Sequence, residues 1–465
     1  MSHNSSASVS LRGSVAVPGD KSITHRAVMF GAVAEGRSVV TTSTLGRDNF
    51  ATLRIMRQLG VELTGKVNSS LVAIAHEEGL PDFTDSGTEL CHLTISGRGF
   101  DGLKAPKDVL NCGNSGTTAR LLTGLLAGRP FASTFDGDHS LVKRPFKRVV
   151  DPLSQMGASF TGDKLPFTMN GGNLKGISYT SPHASAQVKS AILLAGLQAT
   201  GDVSVTEPRL SRDHTERMLS SMGCAIRSER QPNGSWTISL PSDPNRGRLK
   251  PSDVTIPGDF SAAAFFMVAG SIFPESDITI LNVGVNPTRT GLFNVLKRMG
   301  ANIELLNARQ VGGEEVVDMR VRSANLQGVE VEEDDVVLGI DEMPILSVAA
   351  AAANGKTIIR GAAELRVKES DRLAMSTQVL RTFGVQVEEF ADGMTVTGSP
   401  TLAGLKYSAA EVPEWKQSGD HRIAMCGAIL ELLVTGRFDI LDMPAVETSF
   451  PSFARCLEQI IVPRQ

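Results

Sequence analysis

The sequence predicts an α/β fold in two similar halves, and three observations carry that prediction. A helix closed by glycine and followed by a strand recurs along the chain; a helix candidate rich in small residues stands upstream of each copy; and one turn sequence opens both halves. With 465 residues, the chain is too long for one ordinary core and suits two domains of roughly 200 residues or slightly more. Two lobes imply a cleft.

The recurring segment reads LRIMRQLGVEL (53–63), VDPLSQMGASF (150–160), ERMLSSMGCAI (216–226), LFNVLKRMGANI (292–303) and TQVLRTFGVQV (377–387), with a degraded sixth copy, FARCLEQIIV, near the end. Apolar residues at i, i+3 and i+4 predict a helix. Gly60, Gly157, Gly223, Gly300 and Gly384 are predicted left-handed caps, and the alternation after each predicts a strand. The small-residue helix candidates are ITHRAVMFGAVAEG, SGTTARLLTGLLAG, SAQVKSAILLAGL, FSAAAFFMVAGSI, MPILSVAAAAANG and HRIAMCGAILELL. Small side chains let backbones approach, so these are expected to be buried. The six helix-strand-helix-strand units divide into three plus three.

VPGDKSITHRAVMFGAVAEG at 17–36 recurs as IPGDFSAAAFFMVAGSI at 256–272. The stretch PSDPNRGRLKPSD between the halves has the Pro, Gly and charge of a linker. The expected lobes are therefore 21–250, and 1–20 plus 251–465, with the strand before Pro18 joining the second. Two unrelated α/β domains are the alternative, and reuse of the PGD turn tells against it.

Basic and acidic residues nearly balance, 46 against 50, for a formal net charge of -4. Nothing global favours nucleic acid or an anionic membrane. The polar start MSHNSSASVS reads as a frayed end without the basic and apolar stretches of a secretory signal. The longest small-apolar run, 345–353, is too short to cross a bilayer. Five cysteines without a C-x-x-C pair argue against a disulfide framework or a thiolate metal site and fit a reducing cytosol.

Anionic ligands would then need local clusters of charge. PGDKSITHR places Lys21 and Ser22 at a helix start, where free N–H groups and the dipole favour an anion, with Arg26 one turn in. Neither a Walker loop nor a dinucleotide-binding G-x-G-x-x-G is present. Standing alone, Lys21 and Arg26 also suit a solvated helix face. LNCGNSGTTARLL offers Asn114, Ser115, Gly116 and Thr117 as a turn able to cradle an anion, with Arg120 behind it; the same residues suit a plain N-cap. GDHSLVKRPFKR concentrates Lys143, Arg144, Lys147 and Arg148, without the aromatics of a nucleic-acid surface. SAQVKS and PRLSRDHTER supply Ser185, Gln187 and Arg212.

DEMP at 341–344 and LRVKESDRL at 365–373 bring Asp341, Glu342, Lys368, Glu369, Asp371 and Arg372. Charges alternating so closely shift one another's pKa, as acid-base chemistry near neutrality requires, although surface ion pairs look alike in sequence. DHRIAM opens another helix with Asp420, His421 and Arg422. Basic or polar helix starts thus recur in both halves, suiting ligands with several negative charges.

VPGDKSITHRAVMFGAVAEG, NCGNSGTTARLL, GDHSLVKRPFKRVVDPLSQMGA, ASAQVKSAILLAGL, SRDHTERML, IPGDFSAAAFF, LRVKESDRLA and DHRIAM resemble, nearly end to end, the 5-enolpyruvylshikimate-3-phosphate (EPSP) synthase family. The texture is similar to its class II bacterial members, some of them glyphosate-tolerant. The resemblance implies an enolpyruvyl transferase-like fold: an inside-out α/β barrel in each of two similar domains, built from three βαβαββ units, with the active site in the cleft. It implies transfer of enolpyruvyl from phosphoenolpyruvate to the 5-hydroxyl of shikimate 3-phosphate, with release of phosphate, in aromatic amino-acid biosynthesis.

Motif by motif, shikimate 3-phosphate would be held by Lys21, Ser22, Arg26, Ser185, Gln187, Arg212, Asp341 and Lys368. Phosphoenolpyruvate would lie against Lys21, Gly116, Arg144, Gln187, Glu369, Arg372 and Arg422. Asp341 is the expected base, Glu369 the expected acid and Lys21 an electrostatic stabiliser that also relays protons; acid and base can exchange roles between addition and elimination. No metal or organic cofactor is expected, and a cytoplasmic monomer is.

Two departures from the family pattern stand out. Thr448 occupies the place of a common C-terminal Lys, so a Lys contact to phosphoenolpyruvate is either lost or supplied elsewhere. Gly116 stands where tolerant class II enzymes have Ala, so inhibition by glyphosate is expected. The alternatives are a UDP-N-acetylglucosamine enolpyruvyl transferase, whose loop Cys has no counterpart in the context of Cys112, and a non-catalytic anion-binding protein of the same fold.

Overall fold

The small-residue segments fold as helices that are buried almost all round. In the first part of the chain, helices α1 (Lys21–Val33), α2 (Arg47–Gln58), α3 (Gly116–Leu126), α4 (Lys147–Met156), α5 (Ala186–Gly196) and α6 (His214–Ser221) follow one another. The second part continues with α7 (Phe260–Ile272), α8 (Gly291–Arg298), the short α9 (Glu333–Leu338), α10 (Met343–Ala351), α11 (Arg372–Thr382) and α12 (His421–Thr435). Every residue of α7 and of α10 is buried, as expected of helices with no polar stripe. Gly124 shows why small residues matter here: a Cβ on it would sit 2.2 Å from the carbonyl oxygen of Ala191, so α3 and α5 meet backbone to backbone.

The intervening helices are amphipathic, and α4 buries Val149, Val150, Leu153 and Met156 along one stripe. Each helix of this second kind ends where the sequence predicts. Gly60, Gly157, Gly223, Gly300 and Gly384 all have positive φ, from 80° to 117°, a region that costs a side chain energy and glycine almost none.

This computed structural model describes residues 9–67, 70–72, 91–400, 405–407 and 412–464. The expectation of a frayed start over 1–10 falls, for 1–8, outside the described residues; at Val9 and Ser10 it is wrong, since both are buried and open the strand Val9–Ala16. The chain forms two compact units: Asp20–Ile256 with Val311–Gly313, and the chain up to Gly19 together with the rest beyond Ile256. Each unit has its own apolar core.

A strand, helix, strand, helix, strand, strand module is clearest at Leu110–Asn111, α3, Ala132–Asp136, α4, Ser159–Phe160 and Phe167–Asn170. The first strand pairs parallel with the second, and the last inserts antiparallel between the second and third. Lys175–Thr180, Thr200–Glu207, Arg227–Arg230 and Trp236–Leu240 repeat that order. The chain crossovers separate two modules from their opening strands. Val254–Thr255 pairs parallel with Glu35–Thr42 in the first unit, while Val9–Ala16 pairs parallel with Asp277–Gly284 in the second. The segment read as linker is thus followed at once by a strand that completes the sheet over α1.

The last repeat is reduced. After α12 the described chain turns through two short helices, Met443–Val446 and Phe453–Glu458, and ends in Ile461–Pro463, which pairs antiparallel with Val9–Ala16. The missing cap glycine of the sixth copy, visible in sequence, accompanies this reduction.

Candidate functional site

In the first unit the PGD turn caps α1: Asp20 accepts from the amide of Ile23, and Lys21 is the first helical residue. Lys21 Nζ lies 2.9 Å from Asp48 Oδ2, on the first turn of α2. Ser22 is partly exposed beside it. Arg26 lies one turn into α1. It is 2% exposed; its Nε donates to Thr215 at 2.7 Å, and its terminal nitrogens donate to Ser190 at 2.9 Å and to the Ser22 carbonyl at 2.9 Å. The guanidinium therefore braces the helix start from beneath.

The second turn forms the N-cap. Ser115 caps α3 through Thr118, while Gly116 lies against two guanidinium groups: a Cβ there would come 2.6 Å from Arg120 and 3.3 Å from Arg144. Arg120 donates to Gln187 at 2.8 Å, stacks on the Phe146 ring at 4.8 Å, and leaves the Gln187 amide to donate to Thr117 at 2.9 Å. Arg144 is buried and donates to Asn114 at 2.7 Å, whose own amide donates to Asp138.

The basic run at 143–148 accordingly splits. Lys143 and Lys147 are exposed, and Lys147 pairs with Asp151 one turn on at 2.9 Å, whereas Arg144 faces inward. Ser185 caps α5, and Arg212 is partly exposed just before α6. Lys21, Gly116, Arg144, Gln187, Ser185 and Arg212 thus all sit in turns or first helical turns of this unit.

In the second unit, charge gathers around Arg372, the first residue of α11 and 1% exposed. Its Nε donates to Asp420 at 2.8 Å, and its terminal nitrogens reach Asp341 at 3.0 Å and Glu369 at 2.6 Å. Lys368 Nζ lies 3.4 Å from the same Asp341 oxygen. Burial works against the guanidinium charge, but Asp420, Glu369 and Asp341 together hold its pKa above the ordinary arginine value. Burial likewise opposes ionisation of Asp420, yet Arg372 beside it holds the carboxyl below the usual range.

Arg422, the second residue of α12, lies 3.5 Å from the fully buried Glu342. Glu342 also accepts a short hydrogen bond from Ser261, in the first turn of α7 just after the PGD turn of this unit. Thr448 packs at the start of α12: it donates to the Ala445 carbonyl at 2.6 Å and lies 3.4 Å from His421 Nδ1.

Sequence reading passed over several members of these clusters. Asp48, Arg120 as a donor to Gln187, and Asp420 as the anchor of Arg372 carry no local signature that distinguishes them from ordinary helix-start residues. Cys112 is buried, and burial pushes its thiol up, so it is no ready nucleophile.

Repeated βαβαββ modules with their small-residue helices buried, and guanidinium and carboxylate clusters at the helix starts, define an α/β enzyme class that handles anionic substrates. The family model described as EPSP synthase (3-phosphoshikimate 1-carboxyvinyltransferase) matches residues 6–457. A 3-phosphoshikimate 1-carboxyvinyltransferase of Desulforamulus reducens is 46% identical over 456 residues, covering 97% of both chains. One from Geotalea uraniireducens is 46% identical over 459 residues and covers 98% of both. Among solved structures, the EPSP synthase of Acinetobacter baumannii superposes with a TM-score of 0.77 at 41% identity, over 99% of each chain. The enolpyruvyl transferase NikO of Streptomyces tendae, at 16% identity and a TM-score of 0.67, shares the fold. The chain belongs to the EPSP synthase family and is a transferase of that family.

Proposed function

We propose that the chain joins phosphoenolpyruvate to the 5-hydroxyl of shikimate 3-phosphate and releases phosphate. Lys21, Ser22, Arg26, Ser185, Gln187, Arg212, Asp341 and Lys368 hold the acceptor. Lys21, Gly116, Arg144, Gln187, Glu369, Arg372 and Arg422 hold the donor.

The observation that carries this reading is the placement of Asp341, whose one oxygen lies within 3.0 Å of Arg372 and 3.4 Å of Lys368. Lys368 and Arg372 hold the carboxylate in place beside the cations proposed to bind the substrates, as a base that takes the hydroxyl proton requires. In the addition step the acceptor oxygen bonds to C2 of the enolpyruvate while C3 receives a proton. In the elimination, C3 loses a proton and the C2–O bond to phosphate breaks.

Glu369 is the acid in this scheme, and its bond to Arg372 suggests how it is primed. The anionic donor bound at Arg372 competes with Glu369 for the guanidinium. A carboxyl that lets go of the guanidinium 2.6 Å away can turn toward C3 of the donor. Lys21 stabilises developing charge on phosphate from the start of α1.

A cytoplasmic monomer inhibited by glyphosate, working without metal or organic cofactor, completes the reading. The test is phosphate release from phosphoenolpyruvate with each acceptor in turn. Turnover with shikimate 3-phosphate and none with UDP-N-acetylglucosamine is expected; the reverse would overturn the proposal.

A further inference from the structure

One buried charge cluster lies outside the residues assigned above. On α5, Lys189 is 1% exposed, and its Nζ lies 2.9 Å from Glu207, at the end of the strand Thr200–Glu207, and 2.7 Å from Glu216 on α6. Glu207 is 1% and Glu216 6% exposed. The Glu207 carboxylate also accepts from the amide of Ser211 at 2.7 Å and from its hydroxyl at 2.8 Å, and Lys189 donates to the Ser211 carbonyl at 3.2 Å.

A buried lysine with two glutamates is costly to assemble and tolerable only when its bonds are well satisfied. Burial alone would lower the lysine, but Glu216 and Glu207 hold it above its ordinary value and therefore charged. Glu207 takes every donor offered by Ser211. Glu216 Oε2 has no hydrogen-bond partner, and burial raises its carboxyl.

The placement of this cluster gives it a role. Ser211 immediately precedes Arg212, so the Glu207 bonds fix the segment that presents Arg212. Glu216 immediately follows Thr215, which accepts from Arg26 and shares a 2.7 Å bond with Ser190, the neighbour of Lys189. One ammonium thus ties together α5, the 207–211 segment and α6, and with them both arginines of the acceptor set.

We infer that Lys189, with Glu207 and Glu216, is a positioning residue for shikimate 3-phosphate, acting through Arg212 and Arg26. The inference rests on the proposed role of Arg212 and deepens it. A merely structural cluster would change melting and leave substrate affinity alone; a positioning cluster changes KM for one substrate.

Three variants decide between these. Arg212→Ala tests the acceptor reading itself. The triple variant Lys189→Met, Glu207→Gln, Glu216→Gln removes the cluster without leaving a bare buried charge. Ser211→Ala breaks one link while keeping Lys189, and reads out the inference should the triple variant fail to fold.

KM for shikimate 3-phosphate is expected to rise about tenfold or more in the triple variant and roughly threefold in Ser211→Ala, with KM for phosphoenolpyruvate within about twofold of the parent. Adding Arg212→Ala to the triple variant should then raise KM by less than it does alone, because the two act on one contact. If Arg212→Ala raises KM while the folded triple variant, or Ser211→Ala in its place, leaves it unchanged, the inference is overturned. If Arg212→Ala itself has no effect, the acceptor reading of Arg212 fails and takes the inference with it.

Discussion

Arg372 and Asp420 are locked together: Nε donates to one carboxylate oxygen at 2.8 Å, and the other oxygen accepts from the backbone amide of Arg422 at 3.0 Å. Asp420 also accepts from Ser370 at 3.0 Å and is fully buried. It therefore caps α12 and anchors Arg372 at once, setting two of the arginines proposed to hold phosphoenolpyruvate. Asp420→Asn keeps the shape but removes the charge opposite a buried guanidinium. A fall of about tenfold or more in kcat/KM for phosphoenolpyruvate is expected, together with a lower melting temperature. Steady-state kinetics and thermal melting check it; parent-like values for both would refute the anchor.

Asp341 and Glu369 both contact Arg372, yet the proposed roles differ. Alanine at either is expected to lower kcat by roughly 100-fold or more, the usual scale of acid-base catalysis. Single-turnover measurements separate that loss from slow product release. Unchanged turnover in both variants would reject the assignment.

The helices and caps were legible because each rests on short-range chemistry. Runs such as 345–353 admit no polar face, and Gly157 or Gly384 follows its apolar helix at the expected place. What escaped was long-range or very short. The strands Leu110–Asn111 and Val254–Thr255 are too brief to show alternation, and nothing local marks Val254–Thr255 as the partner of Glu35–Thr42, whereas the strand before Pro18 is legible as part of the second lobe. In the site, Lys143 and Arg144 look alike in sequence, and only packing turns one outward and the other onto Asn114. The Lys189 cluster joins residues 18 and 27 positions apart, so its lysine reads as an anomaly within an apolar helix and nothing more.

Gly116 separates two effects in the response to glyphosate. The parent enzyme is expected to be inhibited at low concentration, and activity indifferent to millimolar glyphosate would refute this. In Gly116→Ala the new methyl meets Arg120 at 2.6 Å, so the guanidinium must shift and its bond to Gln187 lengthens. Weaker glyphosate inhibition is therefore expected together with a raised KM for phosphoenolpyruvate, on the scale of one lost hydrogen bond, about fivefold to tenfold. Inhibition and saturation curves on the same preparation check both. Tolerance gained with no change in KM would show that Arg120 yields at no cost.

His25 makes stability depend on acidity. It is fully buried on α1, with Nδ1 2.7 Å from Thr52 Oγ1 and no hydrogen-bond partner at Nε2. Burial first, then the charges of Lys21 and Arg26, hold its pKa well below 6.5. Well above pH 6.5 the ring is neutral in both folded and unfolded chains and contributes no slope. Below that the unfolded chain takes up a proton that the native ring refuses, so stability falls as pH falls, by at most about 1.4 kcal/mol per pH unit from this group. His25→Gln keeps a polar partner for Thr52 and removes the titration. It is expected to be less stable than the parent at pH 7.5 but to lose roughly 1 kcal/mol less between pH 6.5 and 5.5. Denaturant unfolding at the three pH values reads the difference, and parallel pH profiles for the two proteins would show that His25 takes up its proton in the folded state as readily as in the unfolded one.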